Sequence, residues 1–197
     1  MKKNNTKIII SVFCFILLGL TACSSNQKTI EGKYVSIYDK STYLLFNKDG
    51  SVVSDMWTTI ENGENIPKEC FQYSIDKNNI ITAIDTTKYE GQSSPTTYEI
   101  GYLYEDYICY KYDGELPISK ANTTVTSDLL GDIHFCFAFK EDKTYEYTVT
   151  SNGEVVNTEY GTYSTNGNKT ICTNNVGTVT TFFNTDNGVL CVEYTKE

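Results

Sequence analysis

Ile133-His134-Phe135-Cys136-Phe137-Ala138-Phe139 places a large apolar side chain at every second position. Strand side chains alternate between faces, so Ile133, Phe135, Phe137 and Phe139 form one stripe, while His134, Cys136 and Ala138 lie on the other face. So apolar a run predicts a central strand covered on both faces. The same period recurs in Tyr98, Ile100, Tyr102 and Tyr104, and again in Tyr145, Tyr147 and Val149. Past residue 31 no segment keeps apolar residues at helical spacing for more than a few positions, so the chain reads as all-β.

Working outward, turn signals punctuate the chain every 8 to 12 residues or so, the spacing of a small sandwich or barrel. They include Lys48-Asp49-Gly50, Asn62-Gly63, Asp76 to Asn79, Glu90-Gly91, Glu105-Asp106, Glu141-Asp142-Lys143, Asn152-Gly153, Asn166-Gly167-Asn168 and Asp186-Asn187-Gly188. Asn-Gly and Asp-Gly supply the positive φ that tight hairpins need. An antiparallel meander is expected.

Three stretches recur in the same order. Leu44 to Asp49 (LLFNKD) is matched by Phe137 to Asp142 (FAFKED), and Gln72 to Asn78 by Thr162 to Asn168. Ile108-Cys109-Tyr110-Lys111-Tyr112 is matched by Leu190-Cys191-Val192-Glu193-Tyr194. These matches predict a duplicated chain with β-modules at 31–113 and 129–197, joined by a polar linker over 114–128. The fold expected is two tandem antiparallel β-meander modules, each a small barrel or sandwich; one single barrel is the alternative. Equivalent cysteines, Cys109 and Cys191, are expected to stay apart and reduced, with any binding cleft lying between the modules.

The N-terminus carries an address. Lys2, Lys3 and Lys7 precede an almost wholly apolar run over residues 8–20, too short for an ordinary membrane span of about 20 residues and suited to a signal that is removed. Leu20-Thr21-Ala22-Cys23 resembles the lipobox of bacterial lipoprotein precursors, which implies cleavage after Ala22 and lipid attachment at Cys23. Residues 1–22 are then the signal peptide and 23–30 a lipidated tether. The expected location is the extracytoplasmic face of a cell membrane, held there by the lipid.

Loss of the signal leaves 175 residues and, because three lysines go with it, moves the formal charge from −9 to −12. So acidic a body argues against nucleic acid and other polyanions as partners. Cys14 leaves with the signal and Cys23 is acylated, so Cys70, Cys109, Cys136, Cys172 and Cys191 remain. An odd number leaves at least one free thiol, and no Cys-x-x-Cys spacing points to zinc or thioredoxin-like chemistry. They are read as small buried hydrophobes.

Gly32-x-Tyr34, Phe46-x-x-Asp49-Gly50-Ser51 and Tyr73-Ser74-Ile75-Asp76 together resemble the lipocalin-like β-repeat of many bacterial surface lipoproteins. The second copy keeps Phe139-x-x-Asp142 with Thr144, and Gly161-Thr162-Tyr163, but lacks a clear Gly-x-Tyr opening and has Lys143 in place of Gly50. The resemblance implies a lipocalin-like barrel or sandwich and transfers no catalytic residue, because its motifs are packing positions.

Few residues suggest chemistry. His134 and Cys136 share a strand face and could pair as base and nucleophile or as two metal ligands, but two ligands do not close a site. Asn184 to Gly188 resembles the start of a calcium loop, yet the twelfth position is Thr195 rather than glutamate, so a hairpin turn is the better reading. Asp76, Asp85, Glu141 and Asp142 read as turn acids. Trp57 is expected in the core. No catalytic residue, metal ligand or cofactor is assigned. The expectation is a membrane-anchored, non-catalytic module that binds an envelope component, a small ligand or a protein. An enzyme using His134 and Cys136, or an inhibitory partner of a secreted hydrolase, are the alternatives.

Overall fold

The computed structural model describes residues 28–56, 58–61, 64–67, 71–85 and 95–197. Its regular structure is all strand, sixteen strands among the described residues. The first half supplies β1 (Gly32–Ser36), β2 (Tyr43–Phe46), β3 (Ser51–Ser54), β4 (Thr58–Glu61), β5 (Glu64–Pro67), β6 (Phe71–Ile75), β7 (Ile80–Asp85), β8 (Thr96–Tyr104) and β9 (Tyr107–Gly114). The second supplies β10 (Thr124–Leu130), β11 (Ile133–Phe139), β12 (Thr144–Ser151), β13 (Glu154–Asn166), β14 (Lys169–Asn174), β15 (Val179–Thr185) and β16 (Gly188–Lys196). Trp57, Cys70, the turns Asn62-Gly63 and Glu90-Gly91, and the signal with Cys23 lie outside the described residues.

Fourteen strands pair antiparallel in one closed ring, and β4 and β5 form a separate hairpin. A further pairing runs across the ring, β9 against β16. The ring is thereby divided into two circuits of eight strands that share β9 and β16. One holds β1, β2, β3, β6, β7 and β8; the other holds β10 to β15. Closure removes the free edges that an open sheet would expose.

The two circuits use the same registers. Phe46 opposes Val52 as Phe139 opposes Tyr145, and Tyr73 opposes Ala83 as Tyr163 opposes Cys172. The hairpins at Asn47 to Ser51 and Lys140 to Thr144 match bond for bond. Asp49 Oδ1 accepts from the Ser51 backbone N–H (2.9 Å) and hydroxyl (2.6 Å), as Asp142 Oδ1 does from Thr144 (3.0 and 2.5 Å). Gly50 takes φ 83° and Lys143 takes φ 65°, so the second hairpin holds a lysine in the left-handed region that glycine adopts freely. The missing Gly-x-Tyr opening also has its counterpart: Tyr34 opposes Lys196 where Val125 opposes Gly114.

Each circuit encloses an apolar core. The first contains Tyr34, Phe46 and Tyr73, with Phe46 and Tyr73 edge to face at 5.0 Å. The second contains Phe137, Phe139, Tyr163 and Phe182, with Phe139 and Tyr163 edge to face at 5.1 Å. The shared strands cross over between them. Tyr112 of β9 lies in the second core, and Tyr194 of β16 lies in the first. Each half therefore completes the other's interior.

Several expectations need correction. Cys109 and Cys191 do not lie on distant strands: Cys191 opposes Tyr110 and Cys109 opposes Val192 on the shared pair. Neighbouring positions point to opposite faces, so the thiols remain unbridged, Cys191 in the second core and Cys109 in a third cluster with Phe183, Leu190 and Val192. The stripe over Tyr98 to Tyr104 breaks at Gly101, where the register against β7 shifts. Gly101 has φ 148°, and a Cβ there would lie 2.7 Å from the Cys109 carbonyl oxygen, so a glycine bulge sends Ile100 and Leu103 to the first core and Tyr102 and Tyr104 to the third cluster. β10 starts at Thr124, inside the stretch whose composition reads as linker, because alternating Thr and Val suit a strand against β9 and β11. At the tether, Ile30 docks on the first core and exchanges hydrogen bonds with the Tyr73 hydroxyl, donated by Ile30 N (3.1 Å) and accepted by Ile30 O (2.6 Å).

Candidate functional site

Where β16 changes partners the sheet divides. Phe182 opposes Cys191 on the β15 side, whereas Ser36 opposes Tyr194 on the β1 side. Glu193 stands between them, skipped by the register of β9, which passes from Val192 to Tyr194. A bulged residue of this kind re-aims its side chain out of the alternation. Its carbonyl accepts the Ile37 backbone N–H at 2.9 Å.

A cleft of about 1420 Å³ opens at this seam and reaches into the second circuit. Val35 to Tyr38 line one side and Thr178 to Thr181 the other. Tyr110, Tyr112, Phe135, Phe137, Tyr145 and Tyr147 supply aromatic walls. Tyr38 spans the mouth: 51% of it is exposed, yet its hydroxyl shares a hydrogen bond with Thr180 Oγ1 at 3.4 Å. The long β12 and β13 ribbon forms the far wall with Tyr147, Asn157 and Glu159. Asn174 Nδ2 donates to Glu159 Oε2 at 2.9 Å, which fixes that carboxylate against the β14 end.

Burial governs the electrostatics. It pushes the Glu193 carboxyl up to about 7. It also raises Tyr38, Tyr110, Tyr112 and the Cys191 thiol, and carries Tyr147 to about 12; the charge of Glu193 raises each of them further. These groups stay neutral near neutral pH, which leaves Glu193 the one group among them that changes charge there. Among the described residues no side chain donates a hydrogen bond to its carboxylate.

The residues singled out in the sequence fall elsewhere. His134 is exposed on β11, which overturns the expectation of a strand covered on both faces: in a closed sheet one face points out. Its Nδ1 lies 2.5 Å from Asp128 Oδ1, so its partner is that carboxylate rather than Cys136. Cys136 is half-buried, and burial raises its thiol above the ordinary value, opposite to the activation a nucleophile requires. Asn184 to Gly188 is a hairpin turn in which Thr185 Oγ1 donates to the Gly188 carbonyl and accepts from Asn187 N. Asp76 caps its own turn, accepting from the N–H groups of Asn78 and Ile80 at 2.8 Å. Glu193 and Tyr38 were missed. The available signal was one acid inside the otherwise apolar run Val189 to Tyr194.

Compared with protein-family models, with curated proteins and with solved structures, the chain finds no match.

Proposed function

We propose that this chain is a lipid-anchored, extracytoplasmic, non-catalytic binding module that takes a small ligand in the cleft between its halves. The observation that carries the reading is the cleft itself: about 1420 Å³, more than the few hundred to about 1,000 Å³ of an ordinary ligand site, lined by aromatic rings and a few polar groups. Rings with polar tips bury large area while orienting a ligand. The raised Cys136 thiol and the exposed His134 weigh against the enzyme reading. The matched registers support a duplicated chain, in which joining two copies through β9 and β16 creates the seam. The lipobox at Leu20 to Cys23 supports attachment to the outer face of a membrane, and the charge of −12 after signal removal speaks against nucleic acid as the partner.

Ligand-detected magnetic resonance with a panel of sugars, short peptides and small amines tests the binding reading. Bound compounds should be weakened by Thr181→Trp, which narrows the cleft, and kept on His134→Ala. A panel without any compound weakened by the narrowed cleft contradicts the assignment. For the address, Cys23→Ala should release the protein from membranes or leave its precursor uncleaved.

A further inference from the structure

Resting on the cleft as the binding site, we propose that its ligand is a small organic cation, whose ammonium group sits against Glu193 among the rings of Tyr38, Tyr110 and Tyr147. Three observations converge. The charged side chains lining the cleft are Glu99, Glu159, Glu193 and Glu197 against Lys40, and with Glu197 paired to Lys33 at 3.0 Å the acids still outnumber the base, so the cavity favours positive charge and opposes an anion. Glu193 projects from a bulge into the seam with its carbonyl engaged by Ile37 and its carboxylate without a hydrogen-bond donor among the described residues. A half-buried carboxylate without a donor among the described residues is what an incoming cation would neutralise.

The rings provide the rest. An ammonium group is drawn to the face of tyrosine or phenylalanine within about 6 Å, and a desolvated cage of rings strengthens that attraction. Tyr38 comes from the segment after β1, Tyr110 and Tyr112 from β9 and Tyr147 from β12, and all four line the same cleft as Glu193. A neutral sugar could use the same rings and donate its hydroxyls to the carboxylate, but it would leave the negative charge uncompensated. The opposite seam offers a control within the molecule: there the matched position holds Lys111, beside a recess of about 350 Å³.

Binding should depend on pH. Around Glu193 are Tyr38, Tyr110, Tyr112, Tyr147, Cys191 and Tyr194, all raised by burial and neutral near pH 7; Glu99, Glu159, Glu197 and Lys40 complete the cleft's charged lining. Glu193 is therefore the titrating group. A cation that requires its ionised form should bind about 30-fold more tightly near pH 8 than near pH 5.5.

Calorimetric titration of the chain as it is produced, extracted in a neutral maltoside detergent, tests this with choline and with dimethylbutanol, the neutral isostere carrying tert-butyl in place of trimethylammonium. Choline should bind at least about tenfold more tightly than the alcohol near pH 8, with the stated pH dependence. Glu193→Gln, close to isosteric, should abolish the preference for choline over the alcohol and its pH dependence. Equal binding of the two compounds by the natural chain overturns the cation proposal and leaves the cleft as a binding site. Absence of choline binding overturns it too, and the Thr181→Trp panel then decides separately whether the cleft binds anything.

Discussion

The molecule contains the same seam twice, and the two differ in charge and depth. Along β16 the sheet passes from β15 to β1, and Glu193 faces a cleft of about 1420 Å³. Along β9 it passes from β8 to β10, and Lys111 stands at the matched position beside a recess of about 350 Å³. Two elements account for the difference. The second half extends β12 and β13 into a long ribbon that walls the larger cleft, whereas β3 and β6 are short and a separate hairpin, β4 and β5, intervenes. Glu193 is skipped by the register, whereas the pairing through Tyr110, Lys111 and Tyr112 is continuous. One framework thus yields a closed seam and an open one according to strand length and a single bulge.

The largest expected effect tests whether the halves share their cores. Tyr112, in the first sequence half, packs edge to face on Phe182 at 5.6 Å in the second core. Tyr112→Ala should cost about 3–5 kcal/mol, as for other large buried aromatics. Native-state hydrogen exchange should then show lost protection in β11 and β12 before β2 and β3. Loss confined to the first circuit would break the comparison.

Next in size is the cost of burying Glu193. Its carboxyl sits near 7 when folded and near 4.5 in a model peptide, so the folded state holds a proton that the unfolded state releases between those values. The contribution of Glu193 to stability is accordingly greatest below about pH 4.5, falls as pH rises to about 7, and is flat above, a loss of up to about 3 kcal/mol. Glu193→Gln should remove that fall in denaturant titrations and stabilise the protein near neutral pH. Lys111→Gln, at the matched exposed position, should shift stability by no more than about 0.5 kcal/mol.

A smaller effect compares matched interior positions. Ile81 fills its place in the first circuit, and Thr170 occupies the corresponding place in the second with a buried hydroxyl that finds no hydrogen-bond partner among the described residues. Thr170→Val keeps the shape and removes the orphaned group, so thermal melts should show a gain of about 1 kcal/mol. A loss of similar size would mean that the hydroxyl is satisfied.

Much of this architecture is legible in the sequence because strands and hairpins are written locally. Phe135, Phe137 and Phe139 share a face by their spacing alone, and Asp49 and Asp142 announce hairpins through side chains that bond two residues ahead. Features depending on partners distant in the chain were hidden. The pairing of β9 with β16, the glycine bulge at Gly101 and the re-aimed Glu193 arise only when strands far apart in sequence meet, and none leaves a periodic trace. A cleft between two separate modules is the expectation from sequence; the halves instead exchange strands, and the cleft lies at the seam along β16.

The most direct test of a cation-binding cleft is the titration of Glu193 itself, followed by carbon magnetic resonance of its labelled carboxyl with and without saturating choline. The account predicts a midpoint near 7 in the free protein, moving down by about two pH units or more when the cation is bound. A midpoint near the ordinary glutamate value in the free protein, or one that choline leaves unmoved, would contradict it.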